Sequence, residues 1–134
     1  MADAKGAAER PLSPHLQIYK PIFTMVMSIV HRITGVALYF GMAALVWWLL
    51  AAASGPAYFE FVNGLFTSLL GRLVLLGFTW AALHHALGGL RHFLMDFGSG
   101  FGAGARNMLA RLSLVVSLAL TVAIWIVAYM VRGG

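Results

Sequence analysis

No cysteine occurs in the 134 residues, which excludes a disulfide framework, a cysteine-ligated iron–sulfur cluster and thiol catalysis within this chain. Charge is nearly as scarce. Only 10% of residues are charged, against roughly 25% in a soluble domain. A chain this poor in charge and 61% hydrophobic reads as an integral membrane protein. Acids are the scarcest charged type, four against nine Lys and Arg, for a formal net charge of +5. The bases sit at segment ends rather than in a cluster, so they reflect membrane topology and not nucleic-acid binding, which needs a concentrated basic surface. The opening MADAKGAAER lacks the apolar stretch of a secretory signal. It is also too short and too acidic for an organelle transit sequence.

Three uncharged runs are present: Ile33 to Ala53, Leu73 to Leu90 and Leu112 to Val131. Each is close to the ~20 residues a helix needs to cross a bilayer. The expected fold is all-α, one membrane-anchor domain over residues 1–134 with spans at about 22–53, 66–97 and 106–132. The first helix is expected to begin near Pro21, since proline is tolerated in a first turn, and to end at SGP, Ser54 to Pro56. Before it, Pro11, Pro14 and Pro21 favour a short extended segment at the membrane surface, where Tyr19 and Lys20 suit the interface. Ala57 to Arg72 reads as a connector turning into the second helix, and Gly98 to Gly104 as a flexible turn. Ser113, Ser117 and Thr121 form a small-residue stripe suited to close helix packing. Lys5, Arg10, Lys20, Arg91, Arg106 and Arg111 lie on one side of the predicted spans, Arg72 and Arg132 on the other. The positive-inside rule then places the N-terminus in the cytoplasm.

The most informative stretch is LHHALGGLRHFLMDFG, Leu83 to Gly98. It sets His84 and His85 inside the second apolar run, with Arg91, His92 and Asp96 where that run ends. A charge at the centre of a span costs about 2.5–3.5 kcal/mol and marks a working site. Histidine escapes much of that cost by staying neutral, and neutral imidazole is a metal ligand. His85 and His92, seven residues apart, share a helix face at a separation of about 10 Å. That is too far for one mononuclear ion, but it suits a flat cofactor centred at one residue with its polar edge at the other. Gly88 and Gly89 between them let a bulky group approach the backbone. A haem fits this outline, its iron at His85 and its acidic propionates toward Arg91 and His92. The same spacing also serves histidines that are hydrogen-bonded links between helices, and His84 competes with His85 for the ligand role. Ser28, His31, Arg32 and Gly35 recur on one face of the first helix, at the same end. Arg32 and Arg91 taken singly can equally snorkel to lipid phosphates.

SPHLQIYKP (13–21), SIVHRITG (Ser28 to Gly35) and HALGGLRHFLMDFG (His85 to Gly98), followed by a third span, resemble the cytochrome b membrane-anchor subunits of succinate dehydrogenase, respiratory complex II. The resemblance covers about Ser13 to Gly98. It implies one of two small three-helix anchors that hold an iron–sulfur subunit and a flavoprotein subunit to the lipid bilayer. It also implies haem b, ligated by His85 and by a residue of the second anchor, and ubiquinone reduced with electrons delivered by the iron–sulfur subunit. Carried over by motif, Ser28 and Arg32 match quinone-binding residues, and His31, Arg32, Arg91 and His92 match the haem-propionate side. Asp96 matches an acid with a proton-delivery or salt-bridge role. No catalysis is expected from the chain alone, and the bacterial cytoplasmic membrane is favoured over the mitochondrial inner membrane.

The chemistry agrees with those roles. Quinone reduction takes up two electrons and two protons, and Ser28 can donate a hydrogen bond while Arg32 adds a permanent charge and rigid donors. Three alternatives stay open: a haem-free structural anchor, an anchor of the fumarate reductase type, and a small transporter subunit with Ser28, His31, Arg32 and His85 along a polar path. His31 is also a geometric candidate for the iron position opposite His85. Quinone type and direction of flux are not legible.

Overall fold

A computed structural model describes His15 and residues 18–132. Most of the expected surface segment, with Pro11 and Pro14, lies outside the described residues. Four helices follow in order: α1 (Phe23–Ser54), α2 (Pro56–Thr67), α3 (Leu69–Asp96) and α4 (Ala103–Val131). No strand occurs among the described residues. The three long helices α1, α3 and α4 are long and apolar enough to cross a membrane. The 12-residue α2, at 1.5 Å rise per residue about 18 Å long, is not.

Local chemistry explains where each helix stops. Gly55 holds φ 128°, a conformation open to glycine and rarely to other residues, and Pro56 at once starts α2 in the position where its missing N–H costs nothing. The expected connector is therefore a helix of its own, and the second span begins at Leu69 instead of residue 66. Ser68 makes that break. Its side chain accepts a hydrogen bond from the Gly71 backbone N–H at 3.1 Å, an N-cap that stabilises a helix start by about 1 kcal/mol. A Cβ on Gly71 would run into the carbonyl oxygens of Leu65 and Phe66, so the tight junction depends on glycine there. The third span starts at Ala103, three residues earlier than expected, because Gly102 to Gly104 join or cap the helix rather than extending the turn.

The central helix is α3. One of its faces, Ala81, His84, Gly88 and Arg91, is buried together with Ala110, Ser113, Ser117 and Thr121 of α4, the expected small-residue stripe. The hydroxyls donate within their own helix, Ser113 to the Ala110 carbonyl at 2.9 Å, Ser117 to Leu114 at 2.8 Å and Thr121 to Ser117 at 2.7 Å. No hydroxyl donor of the stripe is left unpaired in a medium without water. Large apolar side chains such as Val36, Tyr39, Phe40 and Val115 face outward, as a lipid solvent requires. Near α2, Trp47 Nε1 donates to Tyr58 OH at 2.8 Å and Trp48 Nε1 to Asn63 Oδ1 at 3.3 Å, an aromatic band of the kind found at membrane–water boundaries. The antiparallel order gathers the start of α1, the end of α3 and the start of α4 at the opposite end.

Candidate functional site

At that opposite end, α1 and α3 interlock through two histidines and two glycines. The rings of His31 and His85 stack with centroids 4.0 Å apart and planes within 13°. His31 lies in the notch of Gly88, where a Cβ would run into its ring. His85 lies over Gly35, where a Cβ would come within 3.0 Å of Cε1. His31 Nε2 is 3.2 Å from the His85 carbonyl, and His85 Nδ1 is 3.1 Å from the His31 carbonyl and 3.3 Å from Thr34 Oγ1. Carbonyl oxygens only accept, so each of these nitrogens carries the proton. His85 is thereby held as the Nδ1–H tautomer, with its lone pair on Nε2, the arrangement that second-shell carbonyls impose on metal-ligating histidines. His92 meets the other side of His31, edge-on at 5.5 Å and 69°.

Stacked rings hold their in-plane lone pairs in near-parallel planes about 4.0 Å apart, so His31 and His85 do not converge on one ion. Among the described residues no group of three His, Asp or Glu could hold a metal ion. A haem would need fewer protein ligands, and His85 Nε2, its lone pair left free by the Nδ1–H bond to the His31 carbonyl, is a nitrogen that could hold it. His31 lies face-on to His85 with Nε2 engaged, and so does not stand opposite it across an iron.

His84 is a different residue. Only 2% exposed, it stacks on Trp80 at 5.2 Å and sets Nδ1 3.3 Å from Ser117 Oγ of α4. Adjacent helical residues point about 100° apart, so one neighbour links α3 to α4 while the other faces α1.

The remaining predicted residues divide. Ser28 is half-buried and Arg32 exposed, one turn apart on α1. Arg91 shares the buried row of His84 instead. It is 9% exposed, lines a small α3–α4 pocket with Ser113 and leaves Nε without a partner among the described residues. Asp96, the last residue of α3, is exposed. Five residues separate it from Arg91, about 140° around the helix, an arrangement that does not favour a salt bridge between them.

Residues 7–128 match the family described as succinate dehydrogenase/fumarate reductase transmembrane subunit. The chain belongs to this family. It is 38% identical over 118 residues to the succinate dehydrogenase cytochrome b556 subunit of Rickettsia typhi, covering 88% of this chain and 92% of that one. To the b556 subunit of Paracoccus denitrificans it is 44% identical over 100 residues, 75% of this chain and 76% of the relative. To the mitochondrial cytochrome b560 subunit of Mus musculus it is 36% identical over 103 residues, 70% of this chain and 57% of the relative.

For this family member, sequence reasoning assigned no role to Thr34. Its hydroxyl donates to the His31 carbonyl at 2.8 Å and abuts His85 Nδ1, so it braces both rings. Its place in SIVHRITG was visible, but its neighbour 51 residues away was not. The interlock itself is testable. Gly88→Ala is expected to force His31 from its notch and to destabilise the α1–α3 seam by about 1–3 kcal/mol, the usual cost of overpacking. A lowered thermal midpoint of the detergent-solubilised protein would report it. Gly64→Ala, where a Cβ meets nothing within 4 Å, is the control and should leave the midpoint unchanged or slightly raised.

Proposed function

We propose that this chain is a membrane-anchor subunit of a succinate:ubiquinone oxidoreductase, that His85 supplies one axial ligand to haem b, and that Ser28 and Arg32 form part of the quinone-reduction site. One observation carries the haem reading: the His31 carbonyl holds His85 in the tautomer whose Nε2 lone pair is free. The cytochrome names of the relatives support it. Bound there, haem b supplies a one-electron redox centre.

The chain's own residues define the surroundings. His31, stacked on His85, and His92, edge-on to His31, lie toward the basic end of the bundle, where Arg32 and Arg91 add positive charge suited to propionate carboxylates. A second small anchor would supply the other protein group that holds the haem. Ser28 donates a hydrogen bond to a quinone carbonyl oxygen, and the Arg32 guanidinium stabilises the negative charge that builds as electrons arrive. Those electrons come from succinate through a flavoprotein and an iron–sulfur subunit docked on the cytoplasmic side, where the positive-inside rule puts the N-terminus. Relatives from Rickettsia and Paracoccus favour a bacterial cytoplasmic membrane. The transporter alternative fits less well, because the stacked histidines fill the α1–α3 seam where its polar path would run.

The test is a dithionite-reduced minus oxidised absorption spectrum of the detergent-purified complex. A sharp b-type band is expected. Its absence would leave a haem-free structural anchor as the better account.

A further inference from the structure

A large cavity among the described residues lies away from the histidines. It lies at the other end of the bundle, among α1, α2, α3 and α4, with a volume of about 1150 Å³. That is at or above the roughly 300–1,000 Å³ of ordinary small-ligand pockets. Its walls are apolar, with Ala44, Phe78 and Trp125 among them, and both Arg72 and Arg132 line it. Between Ile33 and Leu90, and again from Leu112 onward, the chain holds no other Lys or Arg. The two basic residues of this end thus share one groove. No acidic side chain lines it among the described residues. Arg72 is tethered by its Nε, which donates to the Thr67 carbonyl at 2.7 Å, so its terminal nitrogens are left for another partner.

Two permanent charges with no acid beside them call for an anion, while the apolar slot calls for a hydrocarbon chain. An anionic phospholipid carries both, and Tyr129, which also lines the groove, supplies an amphipathic ring suited to headgroup level. We propose that this groove holds an acyl chain of an anionic phospholipid whose phosphate is bound by Arg72 and Arg132. The site is separate from the haem and quinone residues and independent of their assignment.

The experiment uses the purified complex, delipidated in detergent and titrated with phosphatidylglycerol or with phosphatidylcholine of the same acyl chains. Bound lipid is counted by native mass spectrometry. Wild type is expected to retain phosphatidylglycerol preferentially. Arg72→Gln and Arg132→Gln should each weaken that retention roughly fivefold, and together roughly thirtyfold, the size expected for one basic residue each at an anionic lipid surface. Phosphatidylcholine should be unaffected, and Arg72→Lys should keep the preference. Both arginines are exposed, so folding is not at risk. Gly77 lines the groove and a Cβ there meets nothing within 4 Å, so Gly77→Leu should fill the slot and lower retention of both lipids alike. Equal retention of the two lipids by wild type overturns the proposal, as does retention of phosphatidylglycerol untouched in the double variant. A Gly77→Leu complex that sheds the second anchor while keeping its lipid would assign the groove to a partner helix, and also overturns it. Bound lipid, not haem or succinate oxidation, is the readout, so failure here leaves the proposed function standing.

Discussion

A His85→Ala complex is expected to lose most of its b-type absorbance while still assembling in part. The substitution removes a ring whose Nδ1 bonds to the His31 carbonyl and so leaves the Nε2 lone pair free, one of the nitrogens that would hold the iron. Assembly survives because much of the α1–α3 interlock does not depend on that side chain. His31 Nε2 bonds to the backbone carbonyl of residue 85, which alanine retains, and the His31 carbonyl keeps the Thr34 hydroxyl as donor. His84→Ala is the matched control. It leaves the face toward α1 intact but deletes a buried ring stacked on Trp80 and bonded to Ser117. The expected result is a near-normal spectrum with a lower thermal midpoint, the loss of a buried hydrogen bond and its packing costing about 1–3 kcal/mol. Haem quantified per complex decides between them. Haem loss in the His84 variant alone would move the ligand to the neighbour, and a spectrum unchanged in both would move it to another chain.

The spans were legible because about twenty uncharged residues in a row have few folds other than a membrane helix. The break at Ser68 was not, because it rests on the Ser68 cap and on an approach of Gly71 to the carbonyls of Leu65 and Phe66 too close for a Cβ, and serine and glycine inside an apolar run carry no distinctive pattern. The histidine pair shows the same division. That His84 and His85 face different ways follows from helical geometry alone, but which of them meets α1 depends on contacts with Gly35 and Ser117, some 50 and 33 residues away. Arg91 is a case where more could have been read. It lies seven residues from His84, just as His92 lies seven from His85, so spacing already separated the two rows.

Arg32→Ala is expected to lower succinate:ubiquinone reductase activity on the order of 10²-fold, the effect of removing a charged donor from a developing oxyanion. Succinate oxidation by an artificial acceptor that draws electrons before the membrane should persist. The separation is informative because Arg32 is exposed on α1, where substitution away from a packed contact usually changes stability by no more than about 0.5 kcal/mol. A fall in activity is then a loss of chemistry and not of the fold. Arg32→Lys should recover only part of the rate, because an ammonium restores the charge without the planar fork of donors that can hold a carbonyl oxygen in one orientation. Ser28→Ala, which removes one neutral donor, should cost less than Arg32→Ala. Two results would count against the assignment. Wild-type quinone reduction in the Arg32→Ala complex would remove Arg32 from the quinone site altogether. A parallel loss of haem absorbance would assign the fall in activity to its place beside the propionates and not to quinone, since a residue acting only on quinone has no means of releasing a group that His85 would hold.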